Sequence, residues 1–428
     1  MESRSAGCWN FSVSTALKIL FVASHWPLGA SYGAQQRVLN IARLLSRFGD
    51  VSFVIVDPER ADEEVVYRTK REFEVRRTFR PFSAPMLKPT DRVLHRCRYE
   101  FDPRYLWVPF TVTDSDRDAL LDLIQQHDVV WVHTIKTANL FRISRWPHSV
   151  LDVDDLLSRY YRSTAQSGGS LVRRFLDLRL SWQWRRREQL FTERFDVVTV
   201  CSGDDRQYLG NQAKVHVIPN GFNPPAIRPR APSDWCRIGF IGLLPYPPNR
   251  DGVTWFIRRV WPLIKRDVPR AELRLVGRGS DSHFTKLGPD IVGLGWLEDP
   301  GDEIATWSGM IVPIRSGGGT RIKVAEGFAR RCPVVATTMG AFGYDLQNGE
   351  EILLGDEPRD FASACIRLLN NPQVGETISQ KAYECFLERW TWDSYETVVG
   401  KVIQECLARS IRTHAGQGEA GVLTSDCQ

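Results

Sequence analysis

One stretch, residues 316–337, leaves few folds open to this chain. An apolar run at 310–314 precedes it and a second at 333–336 closes it, and each reads as a buried strand. Between them, residues 320–331 carry Ile322, Ala325, Phe328 and Ala329 at helical spacing. Gly317, Gly318 and Gly319 therefore separate a strand from a helix N-terminus. Glycine there lets the backbone approach a ligand closely, and the unpaired N–H groups and helix dipole favour an anion. Arg321 and Lys323 add positive charge in the first turn, where a cation opposes the dipole and needs an anion beside it. Glu326, one turn on, is spaced to accept hydrogen bonds from sugar or ribose hydroxyls. The pattern describes a diphosphate site with a carboxylate reader. The plainer alternative is a glycine-rich turn before a solvated basic helix.

The same order of elements recurs along the chain. An apolar strand at 17–23 leads through the 29–33 loop, which ends in Gly33. An amphipathic helix bearing Val38, Ile41, Ala42 and Leu45 follows, then a strand at 51–56. This is a βαβ unit of the parallel, doubly wound kind, although no Gly-x-Gly-x-x-Gly follows the first strand. A further strand at 129–134 ends in His133, at the C-terminal edge where such sheets bind ligands; a structural histidine is the alternative. The strand beginning at Val150 ends in Asp152, Asp154 and Asp155, which fit helix capping and substrate hydroxyls better than a metal pair.

Residues 223–233, rich in proline, form the clearest boundary, and the βαβ pattern restarts after them. The expected organisation is a disordered leader at 1–16 and a Rossmann-like domain at 17–222. After the linker come a second Rossmann-like domain at 234–408, with the last helix crossing back, and a disordered tail at 409–428. A length of 428 residues suits two such α/β domains. Nine cysteines with no Cys-x-x-Cys pair point to reduced thiols in a cytoplasmic setting and to no zinc site. The arginines and aromatics of 57–114 come with no nucleic-acid motif and suit variable substrate loops instead. Residues 171–191 form a long helix that mixes arginines with Trp182 and Trp184. It fits peripheral contact with an anionic membrane, or a helix packed on the sheet with its arginines in solvent; the imperfect apolar face favours the second.

The stretch from Gly317 to Glu326 resembles the donor motif of retaining glycosyltransferases of the GT-B fold, family GT4, in the branch reading Gly-Gly-Gly-Thr-Arg-x-Lys-x-x-Glu. The resemblance implies two Rossmann-like domains facing a cleft and a nucleotide-sugar donor, a UDP- or GDP-sugar. It requires no metal or other cofactor. The implied acceptor is a glycan, a lipid-linked sugar or a small molecule. On this reading Gly318, Gly319, Thr320, Arg321 and Lys323 hold the diphosphate and Glu326 the ribose. Arg250, in a Pro-Asn-x-Asp-Gly segment, stands in for a phosphate-binding cation of the family. Gly33 and His133 flank the reacting centre. Gly318 occupies the position of the family's first glutamate, so the usual carboxylate contact to the donor sugar is missing. Two rival readings are a GT-B sugar-nucleotide epimerase and a nucleotide-sugar-binding protein without turnover.

Overall fold

The computed structural model describes residues 16–29, 33–57, 61–83, 89–106, 109–166, 170–210, 213–230, 236–283 and 288–420. Nearly all of the expected leader, three residues of the 29–33 loop and the end of the linker lie outside them. Two parallel sheets organise the chain. The first contains β1 (Leu17–Ala23), β2 (Gly49–Val56), β3 (Glu74–Phe79), β4 (Val129–His133), β5 (Ser149–Asp152), β6 (Val197–Val200) and β7 (Val215–Val217). Their spatial order is β3-β2-β1-β4-β5-β6-β7. The second contains β8 (Arg237–Ile241), β9 (Glu272–Val276), β10 (Ile291–Gly293), β11 (Gly309–Val312), β12 (Val334–Ala336) and β13 (Leu353–Leu354), in the order β10-β9-β8-β11-β12-β13. Every neighbouring pair in both is parallel.

Parallel sheets are covered on both faces, so their strands read as continuous apolar runs. Ile19 to Ala23 and Val129 to Val132 are fully buried, with one face in each of two core clusters. The helices that place the site are α1 (Gly33–Leu45), α2 (Leu157–Gln166), α3 (Leu171–Glu188), α4 (Pro247–Trp255), α5 (Ile322–Ala329), α6 (Pro372–Arg389) and α7 (Glu396–Ala420). Val399, Val402, Ile403 and Cys406 of α7 pack into the core of the first sheet beside Ile19 and Trp131. The helix runs on to Ala420, which corrects the expected tail from 409 as far as 420. Glu405 and Arg409, one turn apart, pair at 2.6 Å across that junction, and no proline interrupts it.

The two strand ends that matter most are tied together beneath the surface. Arg37 of α1 is fully buried and meets Asp152 of β5 at 2.6 Å. Asp152 also accepts from Thr199 Oγ1 at 2.7 Å and lies 3.1 Å from His133 Nδ1. The second arm of Arg37 donates to the Ile218 carbonyl and to Asn220 Oδ1, both at 3.0 Å. Burial alone pushes the Asp152 carboxyl up; the attraction of Arg37 and the His133 contact overcome this and hold it far below the usual carboxylate range. A carboxylate depressed in the fold stabilises it above its unfolded pKa and loses that contribution only as pH falls through the folded one. The pair is therefore intact at neutral pH.

Removing one partner strands a buried charge. Arg37→Met should destabilise the fold by about 3–5 kcal/mol, whereas Arg37→Met with Asp152→Leu should recover much of the loss. Urea unfolding of wild type, single and double variants measures both; equal losses in the two variants contradict the pairing.

Candidate active site

The C-terminal ends of the two sheets face each other. On the first sheet, β4 delivers His133 and β5 runs into Asp154 and Asp155. On the second, β8 leads into the 242–250 loop and β11 into the glycine loop. Gly317 and Gly319 have φ of +119° and +66°, the left-handed region that a side chain disfavours. A Cβ on Gly319 would also stand 2.1 Å from Asp155 Oδ1, and one on Gly318 3.4 Å from it. The glycines thus let a carboxylate of the first domain rest against the loop of the second.

Other contacts cross the same gap. The Gly317 amide donates to Ser163 Oγ of α2 at 3.0 Å, and the Asn220 amide lies 3.4 Å from Thr320 Oγ1. Gly33 opens α1 directly against Ile322, whose Cδ1 would lie 2.9 Å from a Cβ there. A pocket of about 440 Å³ runs beside Gly317 and Gly318, with Arg159, Ser163 and Tyr208 on its first-domain wall and Met339 and Phe342 opposite.

Each expected site residue has a definite place. Lys323 points toward β8: its Nζ donates to Asn249 Oδ1 at 2.8 Å and sits 4.1 Å from the centre of the Phe240 ring. Burial, then the neighbouring Arg321, push its pKa down to about 7. Glu326 lies in the next turn, its Oε1 3.2 Å from Arg330 Nε; burial raises its pKa and Arg330 pulls it partly back. Arg321 folds back on its own loop, donating to the Gly318 carbonyl and lying 3.4 Å from that of Ser316. In this arrangement it braces the loop instead of reaching outward. Arg250 is exposed on α4, and its neighbour Asn249 is the residue that turns inward to Lys323. His133 is fully buried, with Nδ1 on Asp152 and no hydrogen-bond partner for Nε2.

Three residues that the sequence reading did not single out complete the site. His25, at the end of β1, stands 6.3 Å from His133, ring to ring; burial and the nearby His133 lower its pKa to about 4. Arg37 had a visible signal, since it lies four residues before Ile41 on the apolar face of α1. Tyr246 of the 242–250 loop shares the field of Asp155 and Arg321, and its phenol is pushed up to about 12, first by burial. Asp155 itself is raised to about 7 by burial and by Asp154, against the pull of Arg321. Asp152 is committed to Arg37, His133 and Thr199, and Asp155 is the acid that lies against the glycine loop.

Two facing Rossmann-like domains with a glycine loop at the strand ends make up the GT-B fold. Residues 236–371 match the family model described as Glycosyl transferases group 1. An uncharacterised 44.6 kDa protein in the cps region of Klebsiella pneumoniae is 21% identical over 400 residues, covering 87% of this chain and 96% of that protein. Among solved structures, HepE of Anabaena in complex with UDP and glucose aligns with a TM-score of 0.58 at 16% identity, over 91% of this chain and 99% of that one. Sucrose-phosphate synthase of Thermosynechococcus elongatus aligns at 0.64 and 15%, over 92% and 100%. TarM aligns at 0.64 and 11%, over 91% and 99%.

The charges predict a proton linkage. At pH 8 the free protein holds Lys323 largely neutral and Asp155 largely ionised, because both titrate at about 7. A bound diphosphate favours the protonated form of each. Binding of a diphosphate at the glycine loop should therefore take up about one to two protons. The check is calorimetric enthalpy at pH 8 in buffers of different ionisation enthalpy, where Lys323→Met should reduce the uptake. An enthalpy indifferent to the buffer contradicts the assignment.

Proposed function

We propose that this protein is a retaining glycosyltransferase, moving a sugar from a nucleoside diphosphate to the hydroxyl of an acceptor. One observation carries the reading: the glycine loop of the matched region, followed on its helix by Lys323 and Glu326, rests against Asp155 of the opposite domain, and His133 ends a neighbouring strand there. The first group suits a nucleoside diphosphate, and the second suits the sugar attached to it.

In this reading the bond from the anomeric carbon to the diphosphate oxygen breaks, and the acceptor oxygen attacks from the same face. The acceptor proton passes to the departing phosphate, so no protein nucleophile takes part. Charge builds on the leaving group. Lys323, which binding protonates, and the amides of Gly318, Gly319 and Thr320 stabilise it, each such contact being worth about 3–4 kcal/mol in the transition state. Arg321 keeps the loop carbonyls turned away from the anion, and Asn249 orients Lys323. Glu326 holds the ribose. His133, anchored by Asp152, offers its free Nε2 to a sugar hydroxyl. Asp155 supplies the carboxyl group that position 318 lacks, contributed from the opposite domain. Domain closure then excludes water from the donor.

UDP-sugars are the donors to try first, because a solved relative in fold is described with UDP and glucose. The acceptor is a growing glycan, a lipid-linked sugar or a small molecule. Calorimetry with UDP, GDP and their sugar conjugates tests the donor site. One nucleotide series should bind in the micromolar range, weakened roughly tenfold or more in Lys323→Ala and in Glu326→Ala. Asp155→Asn should keep UDP binding but lose about two to three orders of magnitude in kcat/KM. Binding untouched by either charge removal rejects the site. Binding with no transfer to any acceptor favours the nucleotide-sugar-binding alternative.

A further inference from the structure

The helical hairpin α2–α3 stands beside the cleft, and its outer helix is built inside out. Leu171, Phe175, Leu178 and Trp182 recur at i, i+4, i+7 and i+11, a stripe that normally faces a core. Here they are 80%, 68%, 51% and 48% exposed. The opposite face carries Asp177, Ser181 and Glu188, and these are buried. Hydrogen bonds hold this polar side inward: Ser181 Oγ donates to the Ser158 carbonyl at 2.8 Å, and Glu188 Oε1 accepts from the Ser158 amide at 2.9 Å. The sequence favoured a helix packed on the sheet with its arginines in solvent, over peripheral contact with an anionic membrane. For this stripe the structure shows the reverse.

We infer that α3 is a docking surface for an anionic lipid bilayer, lying in the interface with its apolar stripe among the acyl chains. The charges around the stripe choose this occupant. Both acids of the helix are buried, whereas Arg173 and Arg174 are exposed in its first turn. Arg186 stacks 4.7 Å from the Trp182 ring, pairing a cation with an aromatic suited to the headgroup region. The neighbouring helix Pro89–Phe101 extends the surface with exposed Val93, Leu94 and Phe101, and Glu100 ties it to Arg179 of α3. Anionic headgroups attract such arginines, and their stems reach up from an apolar contact. A second copy docked on this face would set arginine against arginine, which disfavours self-association. No helix among the described residues is long and apolar enough to cross a membrane, so the contact is peripheral.

The surface is coupled to the cleft through α2. Ser163, which receives the Gly317 amide, and Arg159 of the pocket wall belong to the inner helix of the same hairpin. If glycosyl transfer is the reaction, docking here brings the cleft to a lipid-linked acceptor; this consequence rests on the function proposed above, whereas docking itself does not.

The test is flotation of the full chain with vesicles of phosphatidylcholine alone or with about a third phosphatidylglycerol. The wild type should float with the anionic vesicles, and Phe175→Glu with Leu178→Glu should weaken partition roughly tenfold while leaving thermal melting unchanged. Failure to float with anionic vesicles overturns the proposal. So does flotation that the paired substitution leaves intact, or a concentration-dependent dimer in sedimentation that the same substitution abolishes. UDP calorimetry on the same samples separates this outcome from failure of the donor site.

Discussion

The buried ion pair of Arg37 and Asp152 fixes the relation between the first domain's parts. It joins the helix after β1 to the end of β5, and through the same carboxylate it orients His133 at the end of β4. The other arm of the guanidinium holds Ile218 and Asn220, where the chain leaves the first sheet. Such a pair costs a large desolvation penalty and is a poor way to gain stability alone. Its use here is positional. Three strand ends and the exit of the domain share one set of charge-assisted hydrogen bonds, so a shift in any of them disturbs the others.

The cleft above that pair works by incomplete satisfaction. Lys323 and Asp155 are both drawn toward the middle of the pH scale, one down and one up. Each is desolvated, and each lies within the influence of Arg321. A site with charges this easily reversed can respond to an anionic ligand by changing protonation, which lowers the cost of closing around it.

Much of this architecture was legible in the amino-acid sequence, because its signal is local. Apolar runs such as 17–23 and 129–133 can only be buried strands, and the glycine loop announces a close backbone approach before a helix. Glu326 and Lys323 follow from spacing along one helix. What the sequence hid depends on encounters between distant segments. Asn249, not Arg250, meets Lys323 because α4 begins at Pro247 and sets which side of its first turn faces inward. Asp155 meets the glycine loop only because the end of β5 is placed opposite Gly319, more than a hundred residues away. Helix α3 stayed open between two readings for a different reason. Its periodicity is imperfect, and periodicity carries no information about which way an apolar face points.

The path of the last two helices constrains how the cleft can open. The chain leaves the first domain at Phe222 and returns to it through Thr391, and the two crossings are stitched together: Phe222 bridges Thr391 and its amide donates to the Trp390 carbonyl at 2.9 Å. Two strands of chain passing side by side behave as a pair of door pins. Rotation about the line they define leaves those bonds intact, whereas twisting or sliding the domains past one another breaks them. A swing about that line would part Asp155 from the glycine loop and bring it back in the same register on closing.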